Sequence, residues 1–150
     1  MIKIVKANPG HVEGISKVCS DGYRATYGDT NTEDYIERVI REFYNRERIL
    51  DEVSRSDRHW GGYFVAGDDD LVVGAGGGGM TGKTTAELFV LYMDPRRRNE
   101  GIGTKLLDAI TKQQKDEYQA EEQWVSVQKG NDLGIPFGEE YISLRYYRKI

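Results

Sequence analysis

The chain has 150 residues, 31% charged and 38% apolar, with a net charge of -4 and a pI near 5.3. That composition suits one globular domain rather than a disordered chain, and its acidic balance argues against a nucleic-acid surface. The single Cys19 rules out an internal disulfide, the apolar run Leu88 to Met93 is far too short to span a bilayer, and the opening MIKIVKA lacks a signal-peptide core, so a cytoplasmic location is expected.

Ile2 and Ile4 alternate with Lys3, which predicts a first strand with one buried face, broken at Pro9-Gly10. Val12, Ile15, Val18 and Cys19 then fall at helical spacing toward Tyr23 and Tyr27, and Gly28-Asp29 ends that helix. Asn31 or Thr32 can cap a second, longer helix with Glu33 and Asp34 in its first turn. Its apolar stripe is Ile36, Val39, Ile40, Phe43, Leu50 and Val53. From residue 60 the period becomes that of strands. YFVAG and LVVGAGGG flank Asp68-Asp69-Asp70, which reads as a hairpin turn more simply than as a metal site. TTAELFVLYM follows and is closed by Asp94-Pro95. RRRNEGIGTKLLDAITKQQKDEY is glycine-rich in front and helical behind, with Ile102, Leu106 and Ile110 recurring every four residues. QWVSVQ and YISLRYYRKI complete the chain as two strands. The order predicts a single α/β domain of the mixed α+β kind over residues 1–150.

Residues 77–84, GGGMTGKT, match the phosphate-cradling pattern G-x-x-x-x-G-K-[ST]. Such a loop needs a helix beginning at its Gly-Lys-Thr, because the amide donors lie at that helix's N-terminus. Thr84 and Thr85 are poor helix formers, and Leu88 to Met93 are apolar on every side. The following strand would also have to lie parallel to the one before, a crossover of a dozen or more residues. Five residues separate Lys83 from Phe89. A glycine-bearing antiparallel hairpin is therefore predicted, and a nucleotide-binding protein using Gly77 to Thr84 is the remote alternative.

A better phosphate site lies one strand later. RNEGIG, Arg98 to Gly103, follows a strand and opens an amphipathic helix. Gly101 and Gly103 let the backbone turn sharply and approach a ligand. The free N–H groups of the first helical turn and the helix dipole favour an anion there. Arg96, Arg97 and Arg98 add positive charge on the approach.

The wider stretch AELFVLYMDPRRRNEGIGTKLLDAI resembles the acetyl-CoA motif of the GNAT superfamily of N-acyltransferases: a strand commonly ending in Pro, then [RQ]-x-x-G-x-[GA], then a helix with a small polar residue and a Leu pair. Pro95, Arg98, Gly101, Gly103, Thr104, Leu106 and Leu107 supply it in order. The resemblance implies a GNAT-like fold, with a central, mostly antiparallel sheet, a splayed parallel strand pair and flanking helices. It implies acetyl-CoA as cosubstrate, no metal, and direct transfer of acetyl to a small-molecule or peptide amine. The amides of Arg98, Asn99, Glu100, Gly101, Gly103 and Thr104 would hold the coenzyme's pyrophosphate. The backbone near Leu91 and Met93 would hold its pantetheine arm, and Asn131 stands where the family often places a coenzyme-contacting Asn.

Glu87 has the spacing of the strand glutamate that some members use as base, and a backbone N–H near Met93 could stabilise the oxyanion. Glu87 is equally well read as a solvent-facing strand carboxylate. The acceptor would lie over the first two helices, near Tyr23, Tyr27 and Tyr35, which serve as well for packing. The resemblance also allows a homodimer.

The chain departs from the family pattern after NDLGIPF, Asn131 to Phe137, because GEEYISLRYYRKI follows at once. A segment of roughly 15 residues, a helix and a strand at usual lengths, is expected to be lacking between Phe137 and Gly138. The family's tyrosine acid goes with it, leaving Tyr147 as a weak candidate and a non-catalytic acyl-CoA-binding or regulatory module as the alternative to an enzyme.

Overall fold

The computed structural model describes the backbone of residues 1–128 and 143–150, and the side chains of 1–125 and 146–150. Asn131 and the junction between Phe137 and Gly138 lie outside the described residues. The chain runs β1 (Ile2–Lys6), a 3-10 turn (Pro9–His11), α1 (Val12–Tyr27), α2 (Glu33–Phe43), α3 (Arg46–Val53), β2 (Phe64–Asp68), β3 (Leu71–Met80), β4 (Thr85–Met93), α4 (Ile102–Tyr118), β5 (Glu122–Gln128) and β6 (Ser143–Lys149).

The strands form one sheet in chain order, β1 to β6. Every neighbouring pair is antiparallel except β4 and β5, which are parallel and joined through α4. The mixed α/β class, the mostly antiparallel sheet and the single parallel pair agree with the expectation. α1 covers one face, burying Val12, Ile15, Val18 and Cys19 against Val65 and Ala75. α4 covers the other, burying Ile102 and Leu106 against Ala66 and Val73. Among the described residues no helix is long and apolar enough to cross a membrane.

The long second helix of the sequence reading is two helices. At Tyr44 the backbone leaves helical geometry and Asn45 is extended, with φ -78° and ψ 157°. The Asn45 side chain serves both ends: its amide donates to the carbonyls of Arg41 (2.7 Å) and Glu42 (3.2 Å), and its oxygen accepts from the Arg48 N–H (2.8 Å). The break rotates the following stripe, so Ile49 is buried and Leu50 stands 46% exposed. Thr32 caps α2 as anticipated, accepting from the Tyr35 N–H.

Gly77 to Thr84 end β3 and turn into β4, with Gly79 paired to Glu87 and Met80 to Ala86. No helix begins at Lys83, so the nucleotide reading fails for the geometric reason given above. The glycines serve packing instead. The segment before β2 crosses the β3 backbone, Gly61 N–H donating to Gly78 O and Met80 N–H to Arg58 O, each at 2.8 Å. A Cβ at Gly77 would lie 2.7 Å from the Trp60 ring, and one at Gly79 would lie 2.5 Å from the His59 carbonyl carbon.

Candidate active site

Four parallel rungs join β4 to β5, from Thr85↔Glu122 to Leu88↔Val125, and there the pairing stops. Both strands continue, β4 to Met93 and β5 to Gln128. The edge of Phe89 to Met93 that faces β5 is therefore unpaired by it over about 17 Å of strand.

A β-bulge sits where the two strands part. Along β3 the partners run Gly77↔Val90 and then Gly78↔Leu88, so Phe89 has no partner there and is 46% exposed. The bulge reverses which face the β4 side chains occupy. Beyond it Leu91 and Met93 pack toward α4, while Val90 and Tyr92 pack toward α1. Before it Ala86 packs by Ala120, at the end of α4, and Leu88 shares a cavity with Leu107 of α4. Alternation therefore puts the half-buried Glu87 on the α1 face with Val90 and Tyr92. Both candidate catalytic residues lie in one cross-strand row, Glu87↔Trp124↔Tyr147, two strand spacings or about 10 Å from end to end. Tyr147 stacks on Trp124 with ring centroids 4.7 Å apart and is 59% exposed.

The loop from β4 to α4 reaches the mouth of this opening. Asp94 organises it, its backbone N–H donating to Val73 O (2.9 Å) and its carboxylate accepting from the Arg96 N–H (3.0 Å). Asn99 and Gly101 take positive φ, 65° and 74°, and the chain enters α4 directly from Gly101. Gly101 offers no side-chain cap and the first turn holds no acid, so the leading amides and the positive end of the dipole are uncompensated locally. A cavity of about 410 Å³ lies between α1 and this loop, lined by Gly22, Ala25, Leu91, Met93, Arg98 and Asn99. Four of the coenzyme candidates meet there.

The three arginines divide. Arg96 folds back on Asp94 (3.1 Å), and Arg97 is held by Glu100 (2.7 Å) and Asp68 (2.9 Å). The Arg97 guanidinium accordingly keeps the Glu100 carboxyl below its usual range. Arg98 makes no ion pair among the described residues and faces the cavity. The positive charge left to meet a ligand thus belongs mainly to Arg98, and Glu100 has its amide alone to offer.

Tyr23 and Tyr35 are buried and Tyr27 partly so, in a cluster with Ile36 and Val39 that also takes in Tyr44 and Tyr92. The Tyr23 and Tyr27 rings lie 4.6 Å apart within that cluster. His11 accepts the Asn8 N–H through Nδ1, and the carbonyl of His59 roofs Gly79; neither stands in the opening.

The likeness to known proteins follows this geometry. The family model described as acetyltransferase (GNAT) family matches residues 24–140. The chain belongs to the GNAT acetyltransferase family. A spermidine N(1)-acetyltransferase of Thermoplasma acidophilum is 32% identical over 107 residues, 71% of this chain, which spans 66% of that relative's length. The crystal structure of the PaiA N-acetyltransferase of the same organism in complex with coenzyme A superposes with a TM-score of 0.82 at 25% identity, over 100% of this chain and 99% of that one. A GNAT-family acetyltransferase of Staphylococcus aureus Mu50 shares the fold, with a TM-score of 0.67 at 17% identity and 99% of each chain covered.

Proposed function

We propose that this GNAT-family chain is an N-acetyltransferase that moves acetyl from acetyl-CoA to a primary amine by direct attack, with an aliphatic polyamine of the spermidine kind as acceptor. The observation that carries this reading is the meeting of an open strand edge with an uncapped helix N-terminus. The unpaired β4 edge suits an extended arm, and the leading amides of α4 beside Arg98 suit an anion at the arm's end. The polyamine rests on the curated relative and on the coenzyme A complex of the superposed structure. A cytoplasmic location belongs to the same reading, supported by the single, buried Cys19 thiol.

The amides of Arg98, Asn99, Glu100, Gly101, Gly103 and Thr104 would hold the pyrophosphate, and the backbone at Leu91 and Met93 the pantetheine arm. Acetyl-CoA supplies, when bound, an acetyl group activated as a thioester. Glu87 faces the other side of the strand and would take the proton that an ammonium must lose. Backbone N–H groups on the open β4 edge are the donors for a carbonyl oxygen. Tyr147, in the same row as Glu87, is the candidate proton donor.

A thermal-shift pair tests the reading. A ligand at about a hundred times its Kd adds about 2.7 kcal/mol, which for 150 residues is a rise of about 8 °C. A rise with acetyl-CoA and none with ATP and magnesium is expected, followed by thiol release with spermidine in an amine panel. Stabilisation without turnover of any amine would leave a non-catalytic acyl-CoA-binding module. A rise with ATP alone would overturn the site.

A further inference from the structure

The bulge at Phe89 frees a backbone group as well as turning side chains. The Glu87 carbonyl accepts the side-chain amide of Gln114 on α4, Nε2 to O at 3.1 Å. Gln114 has no exposed surface, and its amide oxygen is also engaged. Its oxygen accepts from Gln123 Nε2 on β5 (2.9 Å), which donates as well to Thr111 Oγ1 (2.9 Å). Gln123 Oε1 in turn accepts from Arg148 Nε on β6 (3.1 Å), and Arg148 Nη2 donates to Thr111 Oγ1 (3.1 Å). The chain of bonds fixes the amide's orientation, since a flipped Gln114 would set oxygen against the Glu87 carbonyl and nitrogen against the Gln123 amide.

We infer that Gln114 is a positioning residue for Glu87, holding the Glu87 carbonyl toward α4 and so pinning the bulge at Phe89. Two properties of the site depend on that pin. Moving the bulge toward the start of β4 as far as Ala86 would set Glu87 opposite Met80 and put its carboxylate on the α4 face. It would also move the rung at which β4 and β5 part, now Leu88↔Val125. Gln123 and Arg148 tie β5 and β6 to the same point, so the row that carries Trp124 and Tyr147 is set from the same contact. The catalytic consequence rests on the reading of Glu87 as base; the structural one does not.

The test compares the wild-type chain with Gln114→Leu and Gln114→Glu. In the Leu variant, amide hydrogen exchange from Phe89 to Leu91 should quicken by about tenfold, the cost of one buried hydrogen bond, with α4 little changed. Its kcat should fall by about 100-fold, as for a misplacement of about 1 Å, with the KM for acetyl-CoA within about threefold of wild type. The Glu variant carries the signature that lost packing would not: a buried carboxyl protonates as pH falls, its O–H then donates in place of the amide, and its kcat relative to wild type rises toward low pH. Unchanged exchange at Phe89 to Leu91, or exchange quickened evenly across the sheet, would overturn the pin. An unchanged kcat alongside locally quickened exchange would overturn the link to Glu87. Should the wild type acetylate no amine, the proposed function falls while the exchange data still decide the pin.

Discussion

Gly79→Ala separates the packing account of the glycine run from the phosphate-loop account. A Cβ there would collide with the His59 carbonyl oxygen and lie 2.5 Å from its carbon, so the 58–61 backbone would have to retreat by more than about 0.9 Å, the oxygen setting the distance, to regain an ordinary 3.4 Å contact. Overpacking of this kind costs about 2 kcal/mol, and more when backbone rather than a flexible side chain must yield. The retreat also strains the bonds from Gly61 N–H to Gly78 O and from Met80 N–H to Arg58 O, each contributing about 1 kcal/mol. Removing a strand glycine returns up to about 1 kcal/mol of chain entropy. The net loss is about 3 kcal/mol, a fall in Tm of about 10 °C for 150 residues. Gly82→Ala is the internal control: its Cβ would meet Thr85 at 3.4 Å and its φ is not positive, so Tm should stay within about 2 °C. Differential scanning calorimetry measures both. A Gly79→Ala protein as stable as wild type, or a Gly82→Ala protein that alone loses ligand-induced stabilisation, would refute the packing argument.

Three further outcomes are expected. Glu87→Gln should lower kcat for amine acetylation by about 100-fold or more, as loss of a general base does, with the Kd for acetyl-CoA unchanged by calorimetric titration; an active variant would remove Glu87 from the mechanism. Arg98→Ala should weaken acetyl-CoA binding by about tenfold or more, since charge-assisted hydrogen bonds contribute about 1.5 to 3 kcal/mol, whereas Arg96→Ala, whose guanidinium is spent on Asp94, should leave it nearly unchanged. Stability should fall as pH rises above about 9 and more steeply above 10, because burial raises the Cys19 thiol and the Tyr44, Tyr63 and Tyr92 hydroxyls above their ordinary 9.0 and 10.0. The folded state keeps those protons while the unfolded chain releases them, so each group costs about 1.4 kcal/mol per pH unit once its unfolded counterpart is ionised. Tyr44→Phe should flatten the slope of Tm against pH, and a Tm level from pH 8 to 11 would contradict the burial of these groups.

What could be read beforehand was whatever carried its own period or its own backbone chemistry. The α1 stripe, the Thr32 cap, the turn at Asp68 to Asp70 and the Gly101 entry into α4 all belong to that kind. The break at Asn45 was missed because the charged residues around it keep helical composition, although an Asn three residues before Arg48 is a cap signal. Gln114 was missed because a polar residue late in an amphipathic helix reads as solvated, and its burial follows from partners on two strands, Glu87 of β4 and Gln123 of β5. The bulge left no trace in the pattern: Leu88 to Met93 are apolar on both faces, so a reversal of parity at Phe89 changes nothing in the letters. Glu87 is therefore a candidate only through the spacing of the family it resembles, while the face it occupies comes from the fold.

The glycine run and the bulge are two parts of one arrangement. Cβ atoms at Gly74, Gly76 and Gly78 would meet Ile102 and Leu106, then Ile110, then Gln114. Those are every fourth residue of α4 set against every second residue of β3. Four helical residues rise about 6 Å and two strand residues about 6.6 Å, so the steps stay matched over the whole contact. The last step of that ladder differs from the others in kind. Where Ile110 meets Gly76 with a methyl group, Gln114 meets Gly78 with an amide, at the rung where the Glu87 carbonyl has turned out of the sheet. A side chain at Gly78 would occupy the space of that hydrogen bond, its Cβ lying 2.8 Å from Gln114 Nε2. The run that imitates a phosphate loop is thus what lets α4 lie close enough to hold β4 at its bulge, and the same helix presents its uncapped N-terminus to the proposed anion site at its other end.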